Sequence, residues 1–205
     1  MNFAVLDLRR STFNECGFFS FDPVEPVFLG ELPTCPFCGV GLGPKPWLPP
    51  FKVKLVGDRP GDVCASGYGR KFLASPRFIE MCSKEGIEGL DFCDDPVEVI
   101  NLGTESSVSY FVVRPVNVLT HLDEEASGLR VHNLIGCNRC RVAQRTRVER
   151  IQIDERTWEG EDIFCPSGLY GTILVTSRFS EAIERHKISN VHLIPGNEYS
   201  ETKQL

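Results

Sequence analysis

A chain of 205 residues with 41% hydrophobic and 24% charged side chains fits one ordinary globular domain, or two small ones sharing a core; it excludes wholesale disorder and collagen-like structure. A formal charge of -6 and a pI near 5.3 argue against whole-molecule attraction to nucleic acid or to an anionic membrane, and permit a basic partner. No apolar run approaches the ~18 residues of a membrane helix. The opening MNFAVLDLRR is interrupted by Asp7, Arg9 and Arg10 before it reads as a secretory signal, so a cytoplasmic location is expected.

In chain order, residues 2–8 read as a strand, followed by a first CxxC at Cys35–Cys38. Residues 41–50 (GLGPKPWLPP) hold four prolines and read as an extended or turning connector. Residues 51–56 form a second apolar strand pattern, and Gly67-Tyr-Gly69 a turn before a strand at Phe72–Ala74. Pro76 after Ser75, with Phe78, Met81 and Cys82 at helical spacing and Gly86 beyond, predicts a short amphipathic helix. Strand patterns recur at 97–102, 108–114 and 148–153, an acidic loop at 120–130, and a second CxxC at Cys137–Cys140. A second helix is predicted from Thr176, carrying Phe179, Ala182 and Ile183, and the tail after Tyr199 reads as frayed.

Much of this pattern occurs twice. Displaced by 101 residues, Cys64–Phe92 falls on Cys165–Leu193 with eight identities in 29 positions, among them Leu73/Leu174, Arg77/Arg178, Phe78/Phe179 and Ile87/Ile188. One more residue of offset superposes the two CxxC pairs. Each helix runs through a turn, residues 86–89 or 187–190, into a short apolar segment. The expected class is α+β: two pseudo-repeated halves of short strands and one helix each, 1–120 and 121–205, bridged by a zinc-ribbon-like four-cysteine site and forming one unit.

Nine cysteines is a high count for a reducing compartment, where they serve more often as metal ligands or small core residues than as disulfides. Zinc takes four tetrahedral thiolate or imidazole ligands, and a CxxC turn supplies two from one tight loop. Cys35, Cys38, Cys137 and Cys140 are the predicted set for a structural Zn2+ clamping the halves together. Gly39 suits the first turn, whereas Arg141 holds the equivalent place in the second. A different set using Cys64 or Cys165 stays open, as does a redox pair, although neither CxxC follows a strand and opens a helix. Cys16, Cys82 and Cys93 read as buried hydrophobes.

Arg139, Arg141, Arg145, Arg147 and Arg150 suggest a nucleic-acid edge, or a solvated face paired with nearby acids. His121, His132, His186 and His192 show no metal-ligand spacing, and no GxSxG, P-loop or GxGxxG at a strand-to-helix turn is present, so no catalytic residues are assigned. Four thiolates would close the metal's coordination shell, which disfavours a metalloenzyme.

The run Cys35-Pro-Phe-Cys38-Gly39, Arg59-Pro-Gly61-Asp62, Gly67-Tyr-Gly69, Ser75-Pro-Arg-Phe78 and Gly86-Ile-Glu-Gly-Leu90 resembles the double-CxxCG motif proteins of myxobacteria. The second CxxC, Glu161-Asp-Ile-Phe164, Ser177-Arg-Phe179 and Ile188-Ser-Asn-Val191 extend the likeness. That family comprises immunity proteins of contact-delivered toxins. The resemblance implies a non-enzymatic, cytoplasmic protein that binds and neutralises a cognate toxin. Leu122–Glu125 and the strip 155–162 are the acidic segments expected to suit a basic toxin.

Overall fold

The computed structural model describes residues 2–8, 20–56, 61–66, 71–101, 109–169 and 171–202. Cys16, Arg59, the Gly67-Tyr-Gly69 turn and the side chains of His132 and Arg145 lie outside the described residues. The first half contains β1 (Phe3–Leu6), β2 (Ser20–Pro23), β3 (Phe28–Leu29), β4 (Trp47–Leu48), β5 (Lys52–Val56), β6 (Val63–Ser66), β7 (Phe72–Ala74), α1 (Pro76–Glu85), β8 (Leu90–Pro96), β9 (Glu98–Val99) and β10 (Phe111–Asn117). The second contains β11 (Arg130–Leu134), β12 (Ala143–Val148), a 3-10 turn (Glu155–Thr157), β13 (Ile163–Cys165), β14 (Leu174–Thr176), α2 (Ser177–Arg185), β15 (Leu193–Pro195) and β16 (Glu201–Thr202). The class is α+β. No helix among the described residues is long and apolar enough to cross a membrane.

One mixed sheet runs β15-β1-β14-β13-β10-β7-β6-β2-β5-β9, with β8 also paired to β10. β10 joins the halves, running antiparallel to β7 at Phe111–Val113 and parallel to β13 at Val116 and Asn117. β1 sits among the later strands, between β14 and β15. A three-stranded sheet, β11-β12-β16, and the β3-β4 hairpin stand apart from it.

Both helices form where their caps and apolar spacing place them. Ser75 and Thr176 accept hydrogen bonds from the amides of Phe78 and Phe179, and Pro76 occupies the first turn of α1, where its missing N–H is harmless. Each helix lays three side chains on the sheet: Phe78, Met81 and Cys82 from α1, and Phe179, Ala182 and Ile183 from α2. The Phe78 and Phe179 rings meet with centroids 6.3 Å apart. Strand alternation splits the core: Val63, Ala65, Phe72, Ala74, Ile163, Cys165 and Val175 face the helices, while Cys64 and Leu73 enter a second cluster and Phe164 and Leu174 a third.

This alternation corrects one detail of the sequence alignment. The 101-residue offset sets Cys64 on Cys165, yet Cys64 opposes Leu73 while Phe164 opposes Leu174. Ahead of the hairpin the spatial offset is therefore 100, because the loop between β13 and β14 is one residue longer. Cys64 and Cys165 then face opposite sides of the sheet, which separates them as potential co-ligands.

The offset of 100 also matches Asp62 with Asp162, and these two brace the halves. Asp62 accepts hydrogen bonds from the Ser75 hydroxyl (2.8 Å), Arg77 Nη1 (2.9 Å) and the Ser189 amide (2.9 Å). Asp162 accepts from the Thr176 hydroxyl (2.8 Å), Arg178 Nη1 (3.0 Å) and the Glu88 amide (3.2 Å). Each arginine then reaches carbonyls at the end of the other helix, Arg77 those of His186 and Lys187, Arg178 those of Glu85 and Gly86. Those carbonyls are the exposed negative ends of the helices, so the arrangement places cations where the helix dipoles favour them.

Other expectations differ from the structure in length. Residues 148–153 do not form a strand: β12 ends at Val148, and only Ile153 bridges back, to Leu122. The 120–130 segment is a turn through Gly128 that gives way to β11 at Arg130, and within 97–101 the strand is Glu98–Val99, residue 102 lying outside the described residues. The tail does not end its structure at Tyr199: it continues into β16, where Glu201 and Thr202 pair with Val148 and Arg147.

Candidate metal centre

The first cysteine pair sits in a loop whose ends are held by β3 and β4, with Phe28 opposite Leu48 and Leu29 opposite Trp47. A bridge from Thr34 to Gly41 narrows the loop. Within it the Cys35 amide donates to Val40 O and the Gly39 amide to Cys35 O, both at 2.8 Å, winding Cys35–Gly39 into a turn that leaves Gly39 at φ +74°. β11 and β12 hold the second pair in the same manner. The Ile135 and Gly136 amides both donate to Val142 O, and the Arg141 amide to Cys137 O at 2.8 Å.

Arg141 adopts φ +46°, the left-handed conformation that Gly39 takes in the first turn. Exchanging glycine for arginine therefore preserves the turn. A side chain in this region costs roughly 1–2 kcal/mol, offset here by an ion pair between Arg141 and Glu124. Glycine is required instead at Gly136, where an added Cβ would lie 2.4 Å from the Cys140 sulfur and 2.9 Å from the Val142 nitrogen. The Ser167 hydroxyl donates to the Cys140 carbonyl and steadies the second turn from β13's side. Sequence reading missed both residues; a glycine directly before Cys137 was the available signal.

The two turns bring Cys35, Cys38, Cys137 and Cys140 together, all four sulfurs lying within 4.8 Å of one another. Separations are 3.9 Å for Cys35–Cys137, 3.8 Å for Cys38–Cys140 and 4.0 Å for Cys137–Cys140. A metal–sulfur bond of about 2.3 Å in a regular tetrahedron sets sulfurs about 3.8 Å apart, whereas a disulfide needs about 2.05 Å. The cysteines are free thiols spaced as tetrahedral ligands, and the group can hold a metal ion. Cys35 and Cys140 are buried against Val142, Val40, Leu42 and Leu119, while Cys38 is exposed. Arg139 lies over the Phe37 ring at 5.5 Å and ties the two turns together on the outside. Amides of Cys140 and Arg139 favour the Cys137 thiolate and bring its pKa down to about 6, whereas burial pushes Cys140 up to about 11.

The remaining candidates lie elsewhere. Cys64 and Cys82 are buried apolar-core residues, each pushed up to about 12 by burial, and Cys93 is half-buried. His186 and Arg185 pair with Glu85 across the helices. Arg141 and Arg147 are engaged by Glu124 and Glu149. Of the acidic segments, Asp162 is buried in the inter-half brace, and Asp123 accepts from the Ala126 amide to shape its own turn.

Residues 60–198 match the profile of the immunity protein family Imm11. The chain belongs to that family. A comparison with curated proteins finds no match. The Imm11 span takes in the second cysteine turn and both helices, while Cys35 and Cys38 precede it. The four-cysteine group thus connects the family region to the segment in front of it.

Proposed function

We propose that this Imm11 member is a non-enzymatic immunity protein that binds and neutralises a cognate toxin, working in the cytoplasm with one structural zinc ion held by Cys35, Cys38, Cys137 and Cys140. The family match carries the immunity reading. The zinc assignment is supported by an all-thiolate donor set at tetrahedral spacing; zinc suits four sulfurs, and with four protein ligands it keeps no open position for chemistry. Bound there, the ion would tie the first turn to the family region more firmly than the Val142 cluster and the Arg139–Phe37 contact do by themselves. The paired CxxC arrangement supports reading the chain as one of the double-CxxCG proteins, and the pairing of β10 with β13 supports reading 1–120 and 121–205 as one folding unit.

Exposed apolar side chains concentrate on the cysteine loops and their hairpins: Phe28, Leu29, Leu32, Phe37 and Leu48 on the first, Leu134 and Ile135 on the second. A soluble surface rarely gathers such residues without a partner. We therefore assign this end of the molecule to toxin contact, in preference to the acidic segments. The test is coexpression with the product of the neighbouring gene, expected to be the toxin. Growth should be restored by the intact protein and lost with Phe37→Asp or Leu29→Asp variants that still fold. A neighbouring gene product that is harmless alone, or that forms no complex, would contradict the reading.

A further inference from the structure

A groove of about 680 Å³ lies between the proline-rich segment and β8 and β10, lined by Lys45, Trp47, Lys71, Asp91, Arg114 and Asn117 among others. Its charges are poorly balanced. Arg114 donates to Asp91 (2.7 Å), which leaves the Lys71 ammonium with no carboxylate partner among the described residues; it rests 4.9 Å from the centre of the Trp47 ring. Glu31 is the other carboxylate on the wall. Burial and the neighbouring Arg114 charge hold Lys71 below the usual lysine range, the mark of an ammonium short of counter-charge. Beneath the floor, Trp47 Nε1 and Arg114 Nε are buried donors without an acceptor among the described residues, so their dipoles add to the positive potential.

We propose that this groove binds an acidic segment of a protein partner, one Asp or Glu carboxylate seating between Lys71 and Arg114 while its flanking backbone lies along the prolines. Pro44 and Pro46 supply apolar walls with no rotamer freedom to lose, and a carboxylate supplies the missing counter-charge. The site is local. The chain's overall negative charge steers a basic partner, and the groove selects one acidic stretch of it. It rests on the immunity reading only in taking the partner to be a protein.

The test needs no toxin. The full-length protein, isotope-labelled, is titrated with a blocked glycine–glutamate–glycine peptide and with its glutamine twin, following the two indole N–H resonances; Trp158→Phe assigns that of Trp47. The glutamate peptide should shift the Trp47 signal saturably within the millimolar range, the glutamine peptide should not, and Lys71→Met should weaken binding by about tenfold while Lys71→Arg retains it. An unmoved Trp47 signal, equal responses to the two peptides, or undiminished binding by Lys71→Met would each overturn the proposal. Toxin neutralisation persisting after such a result would leave the immunity reading standing without this groove.

Discussion

Replacing Asp162 by alanine tests the brace between the halves. Its side chain is 5% exposed and accepts three hydrogen bonds, from the Thr176 hydroxyl, Arg178 Nη1 and the Glu88 amide. Arg178 is 56% exposed, so its charge is largely rehydrated and its pairing counts for about 0.5–1 kcal/mol. Thr176 is buried, and stranding its hydroxyl costs about 1–3 kcal/mol; Glu88 is exposed and its amide can turn to water at smaller cost. The sum is a loss of about 3 kcal/mol, a large part of a typical ~5–15 kcal/mol total. Asp162→Asn, which keeps an acceptor for Thr176, should lose about half as much. Urea unfolding followed at Trp47 and Trp158 reports from two separate clusters, and both probes should show one shared, lowered midpoint with an unchanged slope. A loss below about 1 kcal/mol, or midpoints that separate in the wild type, would refute the reasoning.

Arg141→Gly should leave stability nearly unchanged, relief of the left-handed turn balancing the lost Glu124 pair, whereas Arg141→Val should cost about 1–2 kcal/mol in thermal or urea melts. Gly136→Ala should weaken metal retention by about 10–100-fold in competition with a chromophoric chelator, because its methyl displaces the Cys140 sulfur. The carboxyl of Glu85 is held below its ordinary value near 4.5, chiefly by His186 and also by Arg185. Its contribution is therefore whole above pH 4.5 and fades as acid passes the depressed value, and Glu85→Gln should flatten that limb of the stability–pH profile.

The helices were legible because their signals are local. Ser75-Pro76 and Thr176 are caps, and the Phe78 and Phe179 triplets are spaced for one face. The four cysteines were legible because two short motifs can be paired without knowing the path between them. What the sequence concealed depends on long-range register. Cys64 and Cys165 align by identity, yet one extra loop residue turns them to opposite faces of the sheet. Residues 148–153 are apolar enough for a strand but are anchored individually, Ile151 by its amide to Gly196 O and Ile153 by its bridge to Leu122. The Asp62 and Asp162 pair escaped notice because one-dimensional matching at 101 residues misses partners that sit 100 apart. Trp47 read as part of a connector, and only the packing of Phe21 and Phe51 against its ring reveals it as a core anchor beside a groove.

The metal content of the native protein is the most direct measurement. Elemental analysis of freshly purified material should find one zinc ion per chain; cobalt exchanged into the site should give the absorption of tetrahedral thiolate coordination, and Cys38→Ser should lower both the zinc content and the melting temperature. Metal-free protein that melts at the same temperature with and without chelator would contradict the account.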